Sequence, residues 1–299
     1  MSDWVGGVQR WRYRASWFTL GEFRCPPGHA RWNRVNIIGR DPLLAFPHTA
    51  VAIDQRGREP VVATPNHVVF YDPGQEYRRE LRDERGDECV FVEVEARTLE
   101  RLVDTSGASR TAHGGFRFPF VSGPSSARTF LLHRGLLAHL SVAGEPDRLL
   151  VEETVAGIVE DALRRAYAAR SWPASRRAAR ARRVLAERAK EILVESVTSD
   201  VCLDDLAREL HCSRFHLART FRAETGFALW EYRNQLRLRD ALGRLAERTG
   251  DLSRLAIELG FSSHSHFANS FKAGFGLAPS AARRAFADPG GLDALVHGA

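Results

Sequence analysis

The 299-residue chain contains no run of eighteen apolar residues, so the sequence offers no candidate for a membrane-spanning helix. Its first residues, MSDWVGGVQRWRYR, lack the apolar centre of a secretory signal, and a cytoplasmic protein without a membrane partner is expected. Cysteine is scarce. Cys25, Cys89, Cys202 and Cys212 are scattered, with no two at a ligand-like spacing of two to four residues. That argues against both a disulfide framework and a cysteine-held metal. His29, His48 and His67 are isolated in sequence and read as ordinary polar or pocket-wall side chains, so neither a metal nor a cofactor is expected. Low-complexity sequence is confined to one short Arg/Ala run, and no long tandem repeat occurs.

What is present is unevenly spread. Up to residue 163 there are 20 basic against 22 acidic residues, and beyond it 23 against 15. The second part therefore has the charge to attract a polyanion, most densely between Arg164 and Lys190, although a solvated helix face would have the same composition. The first part is rich in short Val/Phe/Tyr segments, at 17–25, 49–54, 60–64, 67–72 and 88–95, separated by the turn signals DQRG, TPN, DPGQ and ERGD. Closely spaced strands of this kind predict a small antiparallel barrel or sandwich. Two helices are predicted next, at 126–142 and 145–170, with apolar stripes that must pack on the barrel, on each other or on a second subunit. SWPAS at 171–175 breaks the pattern and a new helix starts near Arg176. The reading is α+β, with a domain over 1–170, a linker at 171–175 and a helical domain over 176–287.

In the helical part Leu203, Leu206, Ala207 and Leu210 form one stripe, and Leu217 with Phe221 a second. Between them lies a break at His211-Cys212, with Ser213 placed to cap the following helix. This is a helix-turn-helix pattern, and it recurs. Leu252, Leu255, Ala256 and Leu259 answer the first stripe, Gly260 sits in the turn, and Phe267 with Phe271 answers Leu217 and Phe221 at an offset of fifty residues. The second copy contains GFSSHSHFANSFK. Its helical period places His264 and His266 about 200° apart, too divergent for one metal ion. A further amphipathic helix at 227–248, roughly 30 Å long by helical rise, joins the copies. Successive major grooves on one face of DNA lie about 34 Å apart.

The stretch from about Leu203 to Arg284 resembles the DNA-binding domain of the AraC/XylS family of bacterial transcription regulators. The resemblance rests on Leu206-Ala207, Ser213, Leu217, Arg219-x-Phe221-Arg222, Gly226, Tyr232 and Arg237-Leu238-x-x-Ala241, then on Leu255-Ala256, Gly260-Phe261, Phe267, Phe271-Lys272, Gly276, Pro279 and Arg283. Two positions depart from the pattern: Ala278 stands where Thr is usual and Ala282 where Tyr is usual. The resemblance implies a regulator that reads double-stranded promoter DNA with Arg214, Phe215, Ala218 and Arg219 in the first copy and Ser265, His266 and Asn269 in the second, with His264 at the groove wall. Arg219 suits guanine, Asn269 suits adenine, and Phe215 or Ala218 suits a thymine methyl. It further implies a cupin-like N-terminal barrel that binds a small-molecule effector, a homodimer formed through the helices at 126–170, RNA polymerase as a further partner, and no catalytic residues. Two alternatives stay open: a bifunctional enzyme-regulator with a catalytic N-terminal domain, as in Ada-like proteins, and an N-terminal domain that binds only a protein.

Overall fold

The computed structural model describes residues 8–104, 116–142, 144–169, 176–199, 201–247 and 251–298. The linker expected at 171–175 lies outside the described residues. The chain divides into two compact units, Met1–Thr129 with Gly144–Ala168, and Phe130–Ala143 with Ala169–Ala299.

In the first unit the strands are β1 (Gln9–Arg14), β2 (Phe18–Cys25), β3 (Asn36–Ile37), β4 (Leu43–Pro47), β5 (Val51–Gln55), β6 (Val61–Ala63), β7 (His67–Tyr71), β8 (Glu76–Leu81), β9 (Asp87–Val94) and β10 (Ser122–Pro124). Helix α1 (Ala96–Asp104) follows β9. The strands pair as two antiparallel sheets, in the orders β1-β2-β9-β4-β7-β10 and β3-β8-β5-β6. Among the described residues their ladders do not join into one closed ring, so the expected antiparallel β architecture takes the form of two sheets. Apolar residues from both meet in one core, Ala45, Val69 and Phe91 from the larger sheet and Val51, Ile53 and Ala63 from the smaller. Gly21 on β2 lies opposite Phe91 on β9, and a Cβ there would come within 2.3 Å of the Phe91 ring. Glycine at 21 thus lets the aromatic ring lie across the strand.

Helices α2 (Ala127–Val142) and α3 (Arg148–Ala168) come next. The stripe of α3 is buried through Val151, Val155, Ile158, Ala162 and Ala166, and Ala166 sits so close over Gly123 of β10 that a Cβ would meet it at 2.6 Å. Asp161 ties α3 to the start of α2, accepting from Ser126 Oγ at 2.8 Å and Thr129 Oγ1 at 2.7 Å.

From Phe130 onward α2 belongs to the second unit, with α4 (Arg176–Glu195), α5 (Leu203–Glu209), α6 (Arg214–Thr225), α7 (Leu229–Ala246), α8 (Leu252–Glu258), α9 (His264–Phe275), α10 (Pro279–Ala287) and α11 (Gly291–His297). Gly135 of α2 faces Leu295, Leu292 and Phe286. Arg134 donates to the Gly243 carbonyl at 3.0 Å. His139 Nδ1 lies 2.9 Å from the Pro289 carbonyl, and Arg239 of α7 stacks over Phe130 at 5.0 Å. The stripe that sequence alone left without a partner is therefore covered inside the chain, and Leu136 is fully buried. Helix α4 packs its Ala186, Ala189 and Leu193 into the same core as α5, α6 and α7.

Candidate nucleic-acid interface

The two helix-turn-helix copies can be followed atom by atom. Leu206, Ala207 and Leu210 are buried in the first, and Leu255, Ala256 and Leu259 in the second. Each leading helix stops at a left-handed residue, His211 with φ 52° and Gly260 with φ 75°. The N–H of His211 donates to the Arg208 carbonyl at 3.2 Å and that of Cys212 to Ala207 at 3.0 Å; Gly260 and Phe261 repeat these bonds to Ile257 at 2.9 Å and Ala256 at 3.0 Å. Closing the helix this way satisfies carbonyls that would otherwise be unpaired. Two residues separate Leu210 from Ser213 and three separate Leu259 from Ser263. That one-residue insertion shifts the repeat from 49 residues in the leading helices to 50 in the second helices, α6 and α9.

Helices α6 and α9 start on matched serines. Ser213 Oγ accepts the His216 N–H at 3.2 Å and Ser263 Oγ the His266 N–H at 3.1 Å, as the capping preference of serine predicts. Both end on a left-handed glycine, Gly226 (φ 82°) and Gly276 (φ 81°). Leu217, Phe221 and Thr225 anchor α6, and Phe267, Phe271 and Phe275 anchor α9. The repeat runs on into the helix after each reader: α7 and α10 follow Ala228 and Ala278, both at φ −70°, ψ 152°. Ala278 makes no side-chain cap. Pro279 after it has no N–H to satisfy, so the departure from threonine is structurally inexpensive. Ala282 is fully buried at the position matching Tyr232.

Anchoring one side exposes the other. Arg214, Phe215, His216 and Arg219 are exposed on α6, with Ala218 half-buried; His264, Ser265, His266 and Asn269 are exposed on α9, with Ala268 half-buried. Phe215 is 75% exposed, which removes it from the core of the unit. Arg214 reaches Asp204 Oδ1 at 3.4 Å and lies 5.2 Å over the Phe215 ring. Arg219 enters none of the ion pairs among the described residues. His266 is steadied edge-on to Phe261 at 5.5 Å, with Nδ1 3.0 Å from Ser262 Oγ. The fifty-residue offset also brings out His216, the counterpart of His266, which the motif reading passed over.

Not every basic residue faces outward. Lys190 is buried and bonded to Glu187 at 2.8 Å, and Arg182 pairs with Glu224 at 3.2 Å, so these members of the basic run hold α4 in place. Arg237 of α7 is a clamp: its Nε donates to the Val197 carbonyl at 2.6 Å and its Nη1 to the Gly260 carbonyl at 2.9 Å. A Cβ at Gly260 would come within 2.8 Å of the Thr198 carbonyl and 3.0 Å of Arg237 Nη2.

The helix-turn-helix domain family matches residues 206–285. Over 109 residues the chain is 34% identical to the HTH-type transcriptional activator AarP of Providencia stuartii, an alignment that takes in 36% of this chain and 79% of AarP. The chain belongs to the AraC/XylS family of transcription regulators. It is a DNA-binding protein of the AraC/XylS type, and its two helix-turn-helix copies are the family's DNA-binding domain. Over 95 residues it is 30% identical to the Msm operon regulatory protein of Streptococcus mutans, covering 32% of this chain and 34% of that protein. A solved transcriptional regulator from Chromobacterium violaceum, described among AraC-type DNA-binding domain-containing proteins, is 26% identical, with 36% of this chain and 96% of that one covered and a TM-score of 0.34.

Proposed function

We propose that this AraC/XylS regulator reads two successive major grooves, α6 through Arg214, Phe215, Ala218 and Arg219, and α9 through Ser265, His266 and Asn269. The observation that supports this reading is the pair of identically capped helices with matched exposed faces. The connecting helix α7 packs against both readers. Its 18 residues span about 27 Å by helical rise, close to the roughly 34 Å between grooves. Arg219 would then bridge guanine O6 and N7, and Asn269 adenine N6 and N7. Gel-shift titration of the full chain on promoter DNA tests it: affinity should fall at least about tenfold between about 50 and 200 mM salt. Binding indifferent to salt would rule out a phosphate-led interface.

The first unit is read as the control element, holding a small-molecule effector between its two sheets and biasing DNA binding by its differential affinity for two arrangements of the chain. A catalytic role is disfavoured by chemistry: burial pushes the thiols of Cys25 and Cys89 up from their ordinary value, which disfavours the thiolate that alkyl transfer requires. A cytoplasmic location and contact with RNA polymerase belong to the same reading. A homodimer would have to use surface other than the α2 stripe, since Leu136 is buried. Sedimentation of the full chain with Leu149→Glu, a change at an exposed residue of α3, tests whether that helix is the contact.

A further inference from the structure

Between the two sheets of the first unit lies a cavity of about 530 Å³, with Phe23, Tyr71, Tyr77 and Phe91 among its walls. Its size falls in the range of small-molecule sites, and its walls are mixed, with Gln9, Arg31, Arg34, Asn36, Asp87 and Glu93 beside the aromatic and aliphatic side chains. The most deeply buried cation on these walls is Arg79 on β8, whose side chain is 2% exposed. Its Nη1 bonds Asp87 Oδ2 at 2.6 Å, and its guanidinium lies 4.4 Å from the Phe23 ring and 5.5 Å from the Trp32 ring. Nε and Nη2 are buried without a hydrogen-bond partner. Those two N–H groups point the same way and form the fork that a carboxylate bridges with two parallel bonds. The Cys25 sulfur is within hydrogen-bonding reach of this guanidinium, but a thiol is a weak acceptor and does not satisfy a charged donor pair. Leaving such donors unmet is costly. Charge on the walls agrees: Arg31, Arg34 and Arg79 face Asp87 and Glu93, an excess of one positive charge.

We propose that the cavity holds an apolar monocarboxylate whose carboxylate bridges Nε and Nη2 of Arg79 while its hydrocarbon part lies among the aromatic walls. This rests on reading the first unit as the effector-binding unit. The hydroxyls of Tyr71 and Tyr77 stay protonated, because burial pushes both phenols up, Tyr77 to about 12. They are available as neutral donors at the same wall.

Calorimetry and thermal shift on the full chain decide it, with 3-phenylpropanoate compared against its carboxamide, which has the same shape and no charge. The acid should bind and raise Tm, at least tenfold more tightly than the amide, and Arg79→Met should abolish the difference. Arg79→Lys keeps the charge without the fork and should retain only part of it. Should the Arg79 variants fail to fold, Arg31→Gln tests the charge excess: it should weaken the acid and leave the amide unchanged. An amide that binds as well as the acid overturns the carboxylate and leaves the cavity a ligand site. Failure of both probes overturns the carboxylate and the effector reading together.

Discussion

The two helix-turn-helix copies share one frame and differ in what hangs on it. Their caps, turn bonds and buried anchors correspond position by position, yet Arg219 in α6 is matched by Asn269 in α9, Phe215 by Ser265, and Arg214 by His264. The frame is set by inward positions that stay buried in both copies even where their volumes differ, as Leu217 against Phe267 and Thr225 against Phe275 do, because each copy repacks around its own residues. The outward face has no such constraint and is free to differ. The first copy thus offers guanidinium and aromatic surface, the second short polar groups suited to adenine or phosphate. One repeated frame thus presents two chemically different outer faces.

The anchors give the strongest test of that equivalence. Phe221→Ala and Phe271→Ala each remove a fully buried ring and should each cost about 3–5 kcal/mol by urea denaturation. A large loss at one and a negligible loss at the other would break the symmetry of the frame. The turns should behave unequally. Gly260→Ala places a Cβ against the Thr198 carbonyl in a left-handed conformation and should cost about 1–3 kcal/mol, whereas His211→Gly relieves a strained position and should be neutral or mildly stabilising in the same measurement.

On the outer face the effect moves from stability to recognition. Arg219→Ala and Asn269→Ala should each cost about 1–3 kcal/mol at one base pair and relax discrimination there, as read by binding to a set of single-substituted operators. A uniform loss over every operator would demote that residue to a phosphate contact. Smallest are the caps: Ser213→Ala and Ser263→Ala should each lower stability by about 1 kcal/mol in thermal unfolding, and by similar amounts if the copies are equivalent.

Much of the second unit was legible because its signals are local. Stripes at three- and four-residue steps, a serine before each reader and a glycine after it act through bonds no more than four residues apart, and these place α5, α6, α8 and α9 where the spacing predicts. The β-strands were legible only in part. Strands β2, β6 and β7 lie within segments rich in Val, Phe and Tyr, and β5 and β9 overlap theirs to within one residue, but β4, LLAFP, is buried throughout and shows no alternation to read. Strand β8, EYRREL, fully buries only Arg79 and packs Tyr77 part-buried against the core, so its sequence looks like a polar loop.

The sequence by itself determined the family, the two helix-turn-helix copies and most of the side chains their second helices expose, because helix period and capping are written in neighbouring residues. Only the tertiary structure decided that the α2 stripe is covered by α11 and the end of α10, that Lys190 is buried beside Glu187, and that Arg79 ends beneath Phe23 and Trp32 with two donors unmet. Those outcomes depend on which distant segment arrives to cover a given face, and strand pairing and helix packing bring together residues whose spacing along the chain has no period to read.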